Sequence, residues 1–271
     1  MPNPLPPIDA AFLDALTDIV VRASAAIIAI PRSQLAVRTK PDDTPVTAAD
    51  LASDAVIAEG MARLAPHLQV ISEECCGPAP PTLPPAFALV DPLDGTREFA
   101  AGHEEFTVNL AIIRDGWPVA GVVAAPARGT LYRGAKGLGA QKLSLSDGAA
   151  RSGPPAPICT RPAPSENLVA VVSRSHLDAD TVAFLSRYPV ARRISVGSSL
   201  KLCWLAEGAA DLYPRLSPIS EWDLAAGHAV LAAAGGLLTT PDGRPLGYGT
   251  HLGFRIPGFV AWGDPRLAAA R

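Results

Sequence analysis

Asp91 and Asp94 stand three residues apart in Asp91-Pro92-Leu93-Asp94-Gly95-Thr96, directly after the apolar run Phe87-Ala88-Leu89-Val90. A strand ending in a turn shaped by Pro and Gly gathers acidic oxygens into one small volume. Carboxylates held that close repel each other unless a hard cation lies between them. Magnesium is the usual cation for an all-oxygen site of this kind. The same residue types also make an ordinary solvated turn.

Four further segments could converge on these aspartates. Ile71-Ser72-Glu73-Glu74 closes the preceding apolar run; on its own it reads equally as a charged strand end. Glu221-Trp222-Asp223 opens an apolar helical pattern, where acids also suit the helix dipole. Asp50 closes Thr47-Ala48-Ala49-Asp50, which has the form of a capping box. A capping Asp is also a rigidly placed Asp. Gly95-Thr96 could open a helix whose N–H groups cradle an anion, or serve as plain turn and cap.

The elements that must position these groups are legible in outline. Residues 8–30 carry Phe12, Leu16, Ile19, Ala23 and Ile27 at helical spacing, broken by Asp9, Asp14, Asp18 and Arg22. That is an amphipathic helix, too charged to span a membrane. The segment from Arg38 to Pro45 reads as a polar connection, and the capping box opens a second helix to about Leu64. Leu68–Ser72 and Phe87–Val90 read as strands. Cys75 to Pro85 holds five prolines and reads as loop. Residues 106–114 and 118–125 form a hairpin around Asp115-Gly116, and Thr130 to Gly139 continues as strand or turn. Residues 141–165 lose periodicity and gain Ser, Pro and Gly, which predicts a lobe boundary. Beyond it the pattern gives strand 168–172, helix 178–188, strand 191–196, helix 198–207, strand 211–213 and helix 221–234, then strands. Mixed strands and helices in both halves predict an α/β fold of stacked layers. The expected lobes are 1–145, carrying most of the acids, and 146–271, supplying Asp223 and substrate contacts.

Composition narrows the classes. The chain has 271 residues, enough for a large core. Its formal net charge of −3 and lack of a basic run argue against a nucleic-acid polymer as partner. Apolar residues make up 48%, but much of that is alanine. With no signal-type segment at the N-terminus, the expected location is cytoplasmic, soluble or peripheral to the inner membrane. The sequence favours neither monomer nor homodimer. Cys75, Cys76, Cys159 and Cys203 match no zinc-site spacing, and reduced thiols are expected.

Order and spacing together carry a resemblance. Glu73-Glu74, Asp91-Pro92-Leu93-Asp94-Gly95-Thr96 and Trp222-Asp223-Leu224-Ala225-Ala226-Gly227 resemble the two signatures of the lithium-sensitive, magnesium-dependent phosphatase family that includes inositol monophosphatases. The likeness runs from Val46-Thr47-Ala48-Ala49-Asp50 to the last strand. It implies an alternating α-β-α-β-α sandwich of two lobes. Arg97-Glu98-Phe99, Glu105-Phe106-Thr107-Val108-Asn109, Gly197-Ser198-Ser199-Leu200-Lys201 and Leu212-Tyr213-Pro214-Arg215 are similar to the 3'(2'),5'-bisphosphate nucleotidase (CysQ-type) branch. The Pro-rich 75–85 loop and the 141–165 stretch depart from the pattern.

The resemblance implies roles. Glu73 (chosen over Glu74), Asp91 and the Leu93 carbonyl would hold one magnesium; Asp91, Asp94 and Asp223 would hold a second, with two or three ions per site in all. Thr96 would bind the attacking water, oriented by Asp50, and the Gly95 and Thr96 amides would hold phosphate oxygens. Lys201 and Arg215 would meet the phosphate that is not cleaved, with Arg215 the better candidate. Ser198 and His176 are similar to nucleotide-contacting positions. The implied reaction is hydrolysis of adenosine 3',5'-bisphosphate, a by-product of sulfate activation, to AMP and phosphate. An inositol or sugar monophosphatase, or a nucleotide-binding regulator on the same scaffold, are the alternatives.

Overall fold

The computed structural model describes residues 5–31, 38–39, 45–75, 83–250 and 252–269. In chain order, α1 (Ala10–Ile28) is followed by β1 (Arg38–Thr39), β2 (Pro45–Val46) and α2 (Ala48–Leu64). Next come β3 (Gln69–Ser72), β4 (Ala86–Asp94), α3 (Thr96–Ala100), β5 (Thr107–Arg114) and β6 (Trp117–Ala125). A 3-10 turn at Pro126–Arg128 leads to β7 (Thr130–Ala135), β8 (Gly139–Ser146) and β9 (Ala150–Ile158). The second half runs β10 (Leu168–Ser173), α4 (Ala179–Leu185), β11 (Val190–Val196), α5 (Leu200–Ala206), β12 (Leu212–Arg215), β13 (Ile219–Ser220) and α6 (Glu221–Ala233). It ends with β14 (Leu237–Thr239), β15 (Arg255–Ile256), β16 (Phe259–Trp262) and α7 (Arg266–Ala269).

These elements stack as alternating layers. A seven-stranded sheet, β3-β4-β5-β6-β7-β8-β9, is antiparallel except for the parallel β3–β4 pair. A five-stranded sheet has the order β11-β10-β12-β16-β14. Helices α1 and α2 cover one face of the larger sheet, burying Leu16, Ile27, Ile57 and Met61 against Val90, Leu110 and Ile112. Helices α5 and α6 lie between the sheets, where Leu202, Cys203, Leu224 and Val230 meet Leu89 and Val123 on one side and Tyr213 and Phe259 on the other. Helix α4 covers the outer face of the smaller sheet through Phe184 and Leu185. The α-β-α-β-α order that the family resemblance implies is the order found.

Helix α6 sits unusually close to the larger sheet because glycines face it. A Cβ on Gly121 would stand 2.4 Å from the Ala226 carbonyl oxygen, and one on Gly134 would stand 2.9 Å from Ala233 Cβ. That close approach brings Asp223, in the first turn of α6, toward β4.

Two expectations need correction. The stretch 141–165 is not irregular: most of it is β8 and β9, which pair antiparallel. A boundary at 145/146 would cut this pair, whereas the link between the two sheets is 159–167. The reason is topological. Strand β9 is an edge strand, and Pro154 and Pro155 fall at a register shift in its pairing with β8, where Leu143 alone stands opposite residues 153–155. The second correction concerns the acidic hexapeptide, which is not a turn after a strand. Strand β4 continues through Asp94, with Asp91 opposite Asn109 and Asp94 opposite Thr107. Pro92 and Leu93 bulge out against Val108 alone, as Pro requires inside a ladder. The hairpin at Asp115-Gly116 forms as expected, with φ of +51° and +78°, the left-handed pair that Asp-Gly favours. In the polar segment 38–45, β1 pairs with β2; residues 40–44 lie outside the described residues. So do Cys76 and the following prolines to Pro81. Among the described residues no helix is long and apolar enough to cross a membrane.

Candidate active site

The bulge lies between Asp91 and Asp94, at the C-terminal end of β4. Asp91, 1% exposed, accepts from the Leu93 amide at 3.0 Å. Gly95 then adopts φ +93°, open to glycine at little cost, and caps α3 at Thr96. A Cβ there would stand 3.0 Å from the Glu105 carbonyl oxygen.

Three carboxylates meet at this point. One oxygen each from Glu73, Asp91 and Asp223 lie within 4.8 Å of one another. Glu73 comes from the turn after β3, where its amide donates to the Val90 carbonyl at 3.1 Å. That turn is fixed from behind, since Ser72 Oγ donates to Asp54 Oδ1 and Cys75 Sγ donates to Asp54 Oδ2 at 3.0 Å. The same bond pushes the Cys75 thiol up to about 11, because a thiolate would face the Asp54 carboxylate. Asp223 closes a capping box with Ser220 at the start of α6.

Electrostatics make this cluster costly without a cation. Burial, then the charges of Glu73, Asp94 and Asp223, raise the Asp91 carboxyl well above its usual range. Burial, then Asp94 and Glu73, push Asp223 up to about 8. Buried acids gathered this way favour protonation, or a hard divalent cation that takes the proton's place. An all-oxygen donor set of converging carboxylates fits such an ion. Asp94 stands outside the triad: its Oδ2 accepts from Ser199 Oγ at 2.7 Å and from Thr107 Oγ1 at 3.4 Å. Ser199 in turn accepts from Asn109 Nδ2 at 2.9 Å.

Beside the triad stands a hydroxyl–carboxylate pair. Thr96 Oγ1 donates to Asp50 Oδ1 at 2.9 Å and lies 3.2 Å from the Leu93 carbonyl. Asp50 is buried in the first turn of α2. Its Oδ2 accepts from the Thr47 amide at 2.8 Å and the Thr47 hydroxyl at 2.5 Å. Asp50 thus caps α2 with one carboxylate oxygen and meets Thr96 with the other. Ser53 Oγ donates to the Pro92 carbonyl at 2.7 Å and ties α2 to the bulge.

Glu73, Asp91, Leu93, Asp94, Gly95, Thr96, His176, Ser198, Lys201, Arg215 and Asp223 all line one cavity of about 320 Å³. Asp50 stands behind Thr96. The cations differ in what they have to spare. Lys201 is 5% exposed, and its ammonium donates to the carbonyls of Ser198 at 2.5 Å and Val196 at 3.3 Å. Burial lowers it to about 8. Arg215 donates through Nη2 to the Pro218 carbonyl at 3.0 Å, while its buried Nε has no partner. Ser198 holds φ +51°, and its buried Oγ also lacks a partner. His176 is exposed at the rim and held below its usual range by partial burial, then by the charges of Arg215, Lys201 and Arg97.

The cavity also takes in Arg97, Arg174, Trp222 and Arg255, to which the sequence assigned no role. Arg174 lies within Ser173-Arg174-Ser175-His176, and Glu105 and Asn109 lie in a segment already singled out. What was missing was a reason to give them contacts.

A family model, the inositol monophosphatase family, matches residues 11–263. The chain belongs to that family. Among curated family members, it is 42% identical over 236 residues to the 3'(2'),5'-bisphosphate nucleotidase CysQ of Shigella flexneri, covering 82% of this chain and 86% of that one. It is 40% identical over 237 residues to the CysQ of Escherichia coli K12, with the same coverage. Among solved structures, CysQ of Bacteroides thetaiotaomicron superposes with a TM-score of 0.77 at 30% identity, covering 94% of this chain and 98% of that one. The inositol monophosphatase of Thermotoga maritima superposes with a TM-score of 0.75 at 21% identity, covering 95% of each chain, and shares the fold.

Proposed function

We propose that this protein is a magnesium-dependent 3'(2'),5'-bisphosphate nucleotidase that hydrolyses adenosine 3',5'-bisphosphate to AMP and phosphate. One observation carries the reading. The carboxylate triad and Thr96, backed by Asp50, share a cavity with Arg215, whose Nε donor is unspent, in a chain about 40% identical to named nucleotidases.

Two or three magnesium ions on Glu73, Asp91, Asp94, Asp223 and the Leu93 carbonyl would neutralise the phosphate, acidify the water and stabilise the leaving oxygen. The protein supplies position. Asp50 draws the Thr96 hydroxyl proton away from the cavity, so Thr96 accepts from the water and aims its lone pair at phosphorus. The new O–P bond forms as the bond to the 3' oxygen breaks; the attacking water gives one proton to solvent, the released phosphate keeps the other, and the leaving oxygen takes a proton from solvent. The Gly95 and Thr96 amides hold oxygens of the cleaved phosphate. Arg215, planar and permanently charged, suits the second phosphate. Ser198 and His176 meet the nucleoside. Lys201 holds the Val196–Ser198 loop in shape from below, and adds its charge to the field of the pocket. A small nucleotide substrate fits an enzyme at work in the cytoplasm.

The test is phosphate release from adenosine 3',5'-bisphosphate, inositol 1-phosphate and fructose 1,6-bisphosphate, with and without magnesium. The reading expects magnesium-dependent release with the highest kcat/KM on the nucleotide. Preference for inositol 1-phosphate would make the enzyme an inositol phosphatase, and nucleotide binding without turnover would make it a regulator.

A further inference from the structure

Glu105 is a buried carboxylate, 8% exposed, that does not line the cavity. Both of its oxygens are spent. Oε1 accepts from Arg128 Nη2 and from Arg174 Nη2, each at 2.9 Å. Oε2 accepts from the Gly197 amide at 2.8 Å and lies 2.8 Å from Arg174 Nη2. The partners come from both sheets. Glu105 precedes β5 and Arg128 follows β6, both in the larger sheet. Arg174 follows β10 and Gly197 follows β11, both in the smaller sheet.

We propose that Glu105 is a positioning residue: with Arg128 behind it, it sets the two strand ends of the smaller sheet that form the substrate-facing wall of the pocket. The inference rests on the nucleotidase reading for its substrate. Its geometry stands apart from that reading. The segments after β10 and β11 carry Arg174, His176, Ser198 and Ser199, all on the cavity. A charged group buried between two guanidinium ions and an amide is held by strong, directional bonds. Those bonds fix one orientation of Arg174 and one height of the 197 amide.

Two observations show how closely the wall is set. A Cβ on Gly197 would stand 3.1 Å from Glu105 Cβ, carbonyl oxygen and Oε2, so any side chain there would press on Glu105 and push the loop away from the carboxylate by a few tenths of an ångström. Ser198 then turns to φ +51°, a conformation serine seldom adopts unless its surroundings impose it. Next in the chain, Ser199 donates to Asp94 Oδ2. Glu105 therefore acts at one remove from the substrate, and Arg128 at two.

Glu105→Gln keeps the shape and turns an amide toward two guanidinium groups; Arg128→Ala removes the outer support without touching the pocket. The measurements are kcat and KM on adenosine 3',5'-bisphosphate, melting temperature, and amide exchange at Gly197. Glu105→Gln should raise KM about ten- to a hundredfold, the size of a lost charged hydrogen bond, with kcat within about threefold of wild type. Arg128→Ala should raise KM by about threefold or more. In both, the Gly197 amide should exchange faster while the melting temperature holds within a few degrees. Unchanged KM and exchange would overturn the proposal. So would kcat falling on every substrate together with a large drop in melting temperature, which would make Glu105 a support of the fold alone. Exchange needs no substrate, so it judges the hub even if wild type fails on the nucleotide, a failure that would count against the functional reading alone.

Discussion

Under the proposed function, Thr96 would touch the attacking water and Asp50 would aim it. Asp50 receives Thr47 on one oxygen and Thr96 on the other, so it cannot turn without breaking its cap. Asp50→Asn replaces an acceptor with an amide and reverses the Thr96 hydroxyl. It should lower kcat by about a hundredfold or more, the usual worth of such activation, while KM changes little. Steady-state kinetics on the bisphosphate nucleotide decide it, and a KM effect alone would refute the role. Arg215 and Lys201 separate at the same scale. Arg215→Ala should lower kcat/KM for adenosine 3',5'-bisphosphate by about one to two decades, the worth of a charged hydrogen bond. Adenosine 3'-monophosphate, which lacks the second phosphate, should hardly respond. Equal losses on both would place Arg215 on the cleaved phosphate.

Helix α6 delivers Asp223 because small residues let it lie against the larger sheet. Gly121→Ala would put a methyl 2.4 Å from the Ala226 carbonyl oxygen, a backbone atom that cannot yield alone. The helix must shift, at a cost of about 1–3 kcal/mol from overpacking. Melting temperature should fall by several degrees, and magnesium affinity should fall with it; a variant as stable as wild type would show that the helix has room. Elements whose signals are local were legible in the sequence: the Thr47–Asp50 box, the Asp115-Gly116 hairpin and the helical stripe from Phe12 to Ile27. Strand β9 was not, because its prolines read as loop until the fold makes it an edge. Nor was the continuation of β4 through the hexapeptide, since Asp, Pro and Gly carry the same local signal in a bulge as in a turn. Glu73, Asp91 and Asp223 were legible as a set through the order and spacing of their segments, which carry the family resemblance. The contacts of Glu105 were not, because its partners at 128, 174 and 197 meet only after both sheets form.

The molecule as a whole stores repulsion where strand β4 and helix α6 bring their acids together. Asp91 and Asp223 titrate far above 3.8, the ordinary value of the carboxyl in an open chain. Folded protein thus binds more protons than unfolded chain between about pH 4 and pH 8. By linkage, these two groups favour the fold below pH 4, and that contribution is lost as pH rises through the Asp223 value of about 8. Asp14 and Asp264, lowered by Arg133 and Arg266, act in the opposite sense and weaken the fold only in acid. Magnesium held by this cluster would need the deprotonated carboxylates and the folded state, so the rise in melting temperature it causes should grow from pH 5 to pH 8. A constant or shrinking rise would mean the ion binds elsewhere. Asp223→Asn tests the central claim most directly. The variant is melted with and without magnesium, and its turnover of adenosine 3',5'-bisphosphate is measured beside the wild type. The expected result is a metal-free melting temperature slightly above wild type from relieved repulsion, little or no magnesium shift, and no turnover. Wild-type turnover with an undiminished magnesium shift would contradict the account, because the cluster of Glu73, Asp91 and Asp223 would then not be where the metal and the chemistry reside.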